Sequence, residues 1–184
     1  MSSRSHKTPS GRAVTTLIVE VFRLNGRLLA AGDKLVAPLG LTSARWQVLG
    51  AVTNLPAART VAQLARYMGV YRQGVQRIVN ELADEGFLEF RENPDHRRAK
   101  LVALTKTGRK AFEAVDRLQK PWADALSDGL NAASLIAASR ILAILTKRLK
   151  EMQGAPMATA IKTPNTGEGS APARRRPKRS ESPT

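Results

Sequence analysis

Val14, Leu17, Val21, Leu24, Leu28, Ala31 and Leu35 recur at alternating spacings of three and four residues, the signature of one narrow apolar seam along a long α-helix. The same rhythm returns in Leu135, Ala138, Leu142, Leu145, Leu149 and Met152, behind Asn131, whose side chain suits a helix N-cap. A seam of this kind needs another helix to cover it. Neither helix has much else nearby in sequence to do so, and association between two copies of the chain is expected over packing within one.

Between the seams the elements shorten. Leu41-Thr42-Ser43-Ala44-Arg45-Trp46-Gln47-Val48-Leu49 reads as a capped helix start that runs to about Thr53, where Asn54-Leu55-Pro56 stops it. Thr60 precedes a one-sided apolar face of Val61, Leu64, Ala65 and Met68, with Gln63 spaced for a capping box and Gly69 placed to end the helix in the left-handed conformation. A further helix begins at once and runs to a stop at Glu85-Gly86. Two helices joined by a tight glycine turn predict a helix-turn-helix. Phe87–Phe90 and Ala99–Leu104 are short strand-like runs around an Asn93-Pro94 turn, which predicts a hairpin attached to the helix pair. Thr105-Lys106-Thr107-Gly108 then enters a long helix carrying Phe112, Val115 and Leu118, with Pro121 expected to kink it before Trp122 and Leu126.

Charge adds a partner to this picture. The 184 residues hold 30 Lys and Arg against 15 Asp and Glu, a net charge of +15, and a field of that size draws polyanions. The excess is not confined to the ends: residues 14–152 alone carry 21 basic and 13 acidic side chains, or +8. Cysteine is absent, which excludes disulfides, thiolate metal sites and a cysteine nucleophile. With only His6 and His96 available, a histidine-rich metal site or a Ser-His-Asp triad lacks parts. No cofactor is called for, and no apolar run approaches the roughly 20 residues of a membrane span. The acid-free start and the Pro/Ser-rich end, with Arg174-Arg175-Arg176-Pro177-Lys178-Arg179, are expected to be disordered tails.

The chemistry gathers on the helix from Arg72, itself a candidate DNA contact. At 100° per residue, Val75, Ile78, Val79 and Leu82 share one face, while Gln73, Gln76, Arg77 and Asn80 lie opposite. Arginine can donate two bonds to guanine in the major groove, and Gln or Asn can pair with adenine. The acids Glu81, Asp84 and Glu85 collect at the far end, away from phosphates. In the neighbouring turn, Arg97 and Arg98 are placed to enter a minor groove, with Arg91 and Lys100 behind them to neutralise phosphates. Double-stranded DNA is the partner this arrangement fits.

Three stretches, LTSARWQVL (Leu41–Leu49), TVAQLARYMGVYRQGVQRIVNELADEGFLEF (Thr60–Phe90) and NPDHRRAKLVALTKTG (Asn93–Gly108), resemble the MarR family of winged helix-turn-helix regulators. The resemblance covers roughly residues 14–152. It implies a mainly α fold with a small β-hairpin, an α+β winged helix-turn-helix with N- and C-terminal dimerisation helices. Residues 14–37 and 107–152 would form those helices, and residues 41–106 the DNA-binding module with its wing at 87–104. Tails at 1–13 and 153–184 complete the expected map. Two departures stand out. Tyr71 occupies the recognition-helix entrance where many members have Ser or Thr, and His96 falls where the wing's Asp is expected, so that either Arg97 paired by Asp95 or Arg98 near His96 is the inserted arginine.

The family reading implies a homodimeric, cytoplasmic, nucleoid-associated regulator, a repressor on a pseudo-palindromic operator, released by a small aromatic or phenolic effector. Phe22, Arg45, Trp46 and Trp122 are the local candidates for that effector's site, as aromatics with a cation suit a phenolic or aromatic carboxylate. The competing expectation is an architectural, sequence-tolerant DNA-binding protein.

Overall fold

The computed structural model describes residues 8–154, in which helices dominate and three short strands form one sheet. The expected tails at 1–7 and 155–184, with the basic run 174–179, lie outside the described residues. The chain divides into two units, Met1–Asp128 and Gly129–Thr184. The second contributes α6 (Ala132–Gly154), which begins where Asn131 Oδ1 accepts from the Ser134 N–H at 3.2 Å. No single helix among the described residues is long and apolar enough to cross a membrane.

In the first unit, α1 (Pro9–Val36) starts five residues earlier than the expected Val14, so part of the predicted N-terminal tail is helix. The cause is local: Thr8 caps it by accepting from the Gly11 N–H at 3.0 Å, and Pro9 occupies the first turn, where a missing N–H costs nothing. After a 3₁₀ turn at Ala37–Leu39 come α2 (Ser43–Asn54), β1 (Arg59–Thr60), α3 (Val61–Met68), α4 (Arg72–Asp84), β2 (Leu88–Arg91), β3 (Leu101–Leu104) and α5 (Lys106–Ser127). Pro121 lies inside α5 and does not end it.

The expected caps form. Thr60 and Gln63 make a reciprocal capping box at α3, and Gly69 closes that helix at φ +71°, which only glycine adopts without strain. Tyr71 starts α4 with no side-chain cap bond. Thr105 caps α5 by accepting from the Gly108 N–H at 3.0 Å, and its hydroxyl donates to the Gly86 carbonyl at 2.7 Å. Gly108 packs so closely on the wing's base that a Cβ there would sit 2.0 Å from the Phe87 carbonyl oxygen.

The antiparallel sheet has the order β1-β3-β2, with Thr60 opposite Leu101 and Leu88 opposite Leu104. β1 was not expected; β2 is displaced by one residue from the predicted Phe87–Phe90 run, and β3 is shorter than the predicted Ala99–Leu104, residues 99–100 lying outside it. The core is built from Val48 and Leu49 of α2, Leu64 of α3, Val75, Val79 and Leu82 of α4, Val102 of β3 and Val115 of α5, all buried. Much of α1 stays outside it, and in the second unit α6 carries exposed apolar side chains of its own, Ile136 and Leu149 among them. On α1 the exposed apolar side chains include Ile18, Phe22 and Leu29 beside the predicted seam positions Leu24 and Leu28, so the uncovered band is wider than one seam.

Candidate nucleic-acid interface

Helix α4 is anchored by the burial of Val75, Val79 and Leu82, which turns Gln73, Arg77 and Asn80 outward, exposed, as its 3.6-residue period requires. The outward groups are not isolated. Gln76 donates from Nε2 to Asn80 Oδ1 at 2.9 Å, and Arg77 Nη1 meets Glu81 Oε1 at 2.5 Å. Both are one-turn pairs on a single helix face.

Across from α4, the loop between β2 and β3 is organised by Asn93. Its Nδ2 donates to the Ala99 carbonyl at 2.8 Å, its Oδ1 accepts from the Asp95 N–H at 3.1 Å, and its carbonyl accepts from the His96 N–H at 3.2 Å. One side chain thereby folds the loop back on itself and closes residues 94–98 within it. No ion pair joins Asp95 to Arg97 or Arg98 among the described residues, so the predicted brace does not form.

Between the loop, the N-terminal half of α4 and the start of α3 lies an open cleft of about 600 Å³, lined by Thr60–Ala62, Arg72, Gln76, Phe90 and His96 with Arg98–Lys100. It contains no acidic residue. Two helix N-termini, of α3 and α4, border it and add their partial positive charge. Of the nine side chains read from sequence as DNA contacts, the cleft brings together Arg72, Gln76, Arg98 and Lys100. Gln73, Arg77 and Asn80 lie outside it on the α4 face, and Arg97 lies outside it on the loop. Arg91 belongs to neither group: it pairs with Glu89 at 2.6 Å and lines a separate hollow with Arg109, behind the sheet. Sequence reading overlooked Thr60–Ala62 and gave His96 no role as a contact. The capping box that starts α3 was the available signal, since a capped helix start faces whatever its neighbour binds.

The four effector candidates do not converge. Phe22 is 73% exposed on α1. Trp46 lines a cavity of about 350 Å³ with Gln47, Tyr67, Met68 and Phe112, while Trp122, half-buried on α5, does not. Arg45 points elsewhere, into an ion pair with Glu85. The cavity beside Trp46 has aromatic and amide walls and no cation.

A helix-turn-helix flanked by a three-stranded sheet, with a polar face opposite its buried side and an acid-free cleft under its hairpin, defines a winged-helix transcription regulator rather than an enzyme. The MarR family model matches residues 39–99. An uncharacterized protein of Mycobacterium tuberculosis is 41% identical over 124 residues, spanning 67% of this chain and 85% of its own length. The chain belongs to the MarR family. Among solved structures, an Escherichia coli MarR mutant complexed with operator DNA matches with a TM-score of 0.58 at 25% identity, over 70% of this chain and 94% of that one. CouR from Rhodococcus jostii, bound to p-coumaroyl-CoA, matches with a TM-score of 0.62 at 22% identity, over 68% and 88%.

Proposed function

We propose that the chain acts as a homodimer that binds a pseudo-palindromic operator, each copy laying α4 in a major groove and its β2–β3 wing along the adjacent backbone. The acid-free cleft beside the α4 face carries this reading, because it joins an open cationic groove to a row of side chains able to pair with bases. Arg72, Arg98 and Lys100 neutralise phosphates; Gln73, Gln76, Arg77 and Asn80 read bases. Arg97, outside the cleft, is the arginine for the minor groove. The uncovered apolar bands of α1 and α6 support the dimer, since monomeric proteins seldom leave such surface to water.

Bound across a promoter, such a dimer excludes polymerase and represses, in the cytoplasm and at the nucleoid. The aromatic cavity beside Trp46 is the seat for a small aromatic or phenolic effector, in keeping with the aromatic ligand of CouR. Selection of bound fragments from genomic DNA, followed by competition with unrelated duplex, tests the whole reading. Specific binding survives roughly a 10³-fold or greater excess. Equal affinity for every duplex would instead identify an architectural DNA-binding protein.

A further inference from the structure

Helix α1 is fastened to α2 at closely spaced points. Gly32 is buried so near Ser43 that a Cβ would lie 2.7 Å from its hydroxyl oxygen, and the Ser43 N–H donates to Asp33 Oδ1 at 2.6 Å. Two residues further along α2, the Arg45 side chain is only 14% exposed. Its Nη1 donates to the Gly40 carbonyl at 3.3 Å, its Nη2 pairs with the Glu85 carboxylate, and its guanidinium carbon lies 5.9 Å from the centre of the Phe87 ring. Its Nε is buried without a hydrogen-bond partner. These contacts belong to three different places: the turn that follows α1, the C-terminal end of α4, and the entry to the wing. The planar fork of arginine can hold two of them at once in fixed directions, which a lysine ammonium cannot.

At the last turn of α4, Arg45 adds a side-chain fastening to the backbone bonds from the Phe87 N–H to the Leu82 carbonyl and from the Thr105 N–H to the Phe87 carbonyl. The core anchors of α4 end at Leu82, and the chain reverses at Gly86, φ +77°. Beyond Leu82, Glu85 is held by Arg45, and Gly86 is held by the Thr105 hydroxyl. A 13-residue helix is about 20 Å long, so a tilt of about 10° around its C-terminal end moves its first residues by about 3 Å, close to the rise of one base pair.

We infer that Arg45 is a positioning residue: through Glu85 it sets the angle of the recognition helix relative to α1, and thereby the half-site spacing that the dimer accepts. This rests on the homodimeric operator reading proposed above. Arg45 touches no DNA in this role; it acts through α4.

The test uses the operator recovered by genomic selection with the wild-type chain and the same duplex carrying one extra central base pair, which turns one half-site by about a tenth of a helical turn. Fluorescence anisotropy is measured for wild type, Arg45→Met, Arg45→Lys and Glu85→Gln, with dimer state checked by light scattering. The wild type should lose on the order of 100-fold on the lengthened duplex. In Arg45→Met and Glu85→Gln that penalty should shrink to about fivefold or less, while binding to unrelated duplex and preference at the bases facing Arg77 stay as in wild type. Arg45→Lys, which keeps the charge and loses the fork, should fall between. Glu85→Gln alters a half-exposed side chain and carries the test even where Arg45→Met folds poorly. A wild type that selects an operator while Glu85→Gln and Arg45→Lys keep the full penalty overturns the positioning role alone. A wild type that selects no sequence overturns the functional reading and this inference with it.

Discussion

Two groups of polar side chains sit side by side on the surface proposed to face DNA and are held in opposite ways. On the α4 face, Gln76 is bonded to Asn80 and Arg77 to Glu81. In the cleft beside it, Arg72, Arg98 and Lys100 make no ion pair among the described residues. The difference matches two tasks. A base edge is read by bonds of fixed direction, so a partnered side chain arrives already aimed. A phosphate backbone carries charge without a code, and unpartnered cations can follow it. The pairing is light: an exposed one-turn ion pair is worth only about 0.3 to 0.5 kcal/mol, enough to bias Arg77 and too little to withhold it from guanine.

Removing the second copy should defeat both groups at once. Leu142→Asp with Leu145→Asp places charge in the apolar band of α6, and dimers and operator binding should be lost together; a dimeric double mutant in light scattering would show that α6 is not at the interface. Next in size, Arg77→Ala should cost about 1 to 3 kcal/mol of discrimination at one base position while leaving binding to random duplex intact. Equal loss on both duplexes would move Arg77 from the reading group to the phosphate group. The converse applies to Arg98→Ala, which should weaken all duplexes alike and lower the slope of log affinity against log salt by about 1. Arg97→Ala should instead act on A·T-rich flanks, where a narrow groove attracts an inserted arginine, and an unchanged preference there would place Arg97 off the DNA. The smallest effect should come from Asp95→Ala. Its backbone N–H, not its carboxylate, serves the loop, so removing a negative charge from the wing should tighten binding by about threefold or less. Weaker binding in a filter assay would restore the brace between Asp95 and an arginine.

Legibility in the sequence followed the range of the interactions. The ends of α3 and the start of α5 were readable because Thr60, Gln63, Gly69 and Thr105 act within a few residues of themselves. The apolar stripe of α4 was readable for the same reason, and it put Gln73, Arg77 and Asn80 on the exposed side. The start of α1 was also written locally, in Thr8-Pro9, but the search for a seam passed over it. What escaped depends on distant partners. The two residues of β1 have no period to detect and exist because β3 pairs with them. The cleft needs residues 60–62 to meet residues 96–100. Residue type alone makes Arg45 a ligand candidate and does not reveal that Glu85, 40 positions away, accepts its bond.

The pairing of Thr60 with Leu101 has a consequence for how freely the wing can change. It closes a loop of about forty residues that contains the whole helix-turn-helix and the wing tip. An insertion between Glu92 and Lys100 also lengthens the shorter loop closed by Arg91 and Leu101. Closure entropy nonetheless grows only logarithmically, by about 0.6 kcal/mol for each doubling of length, so a few residues added there, clear of the Asn93 bonds, change little of what the fold must overcome to form. A segment cheap to lengthen is also the one proposed to reach along the nucleic acid, and the reach of the wing can therefore diversify while the domain that carries it stays the same.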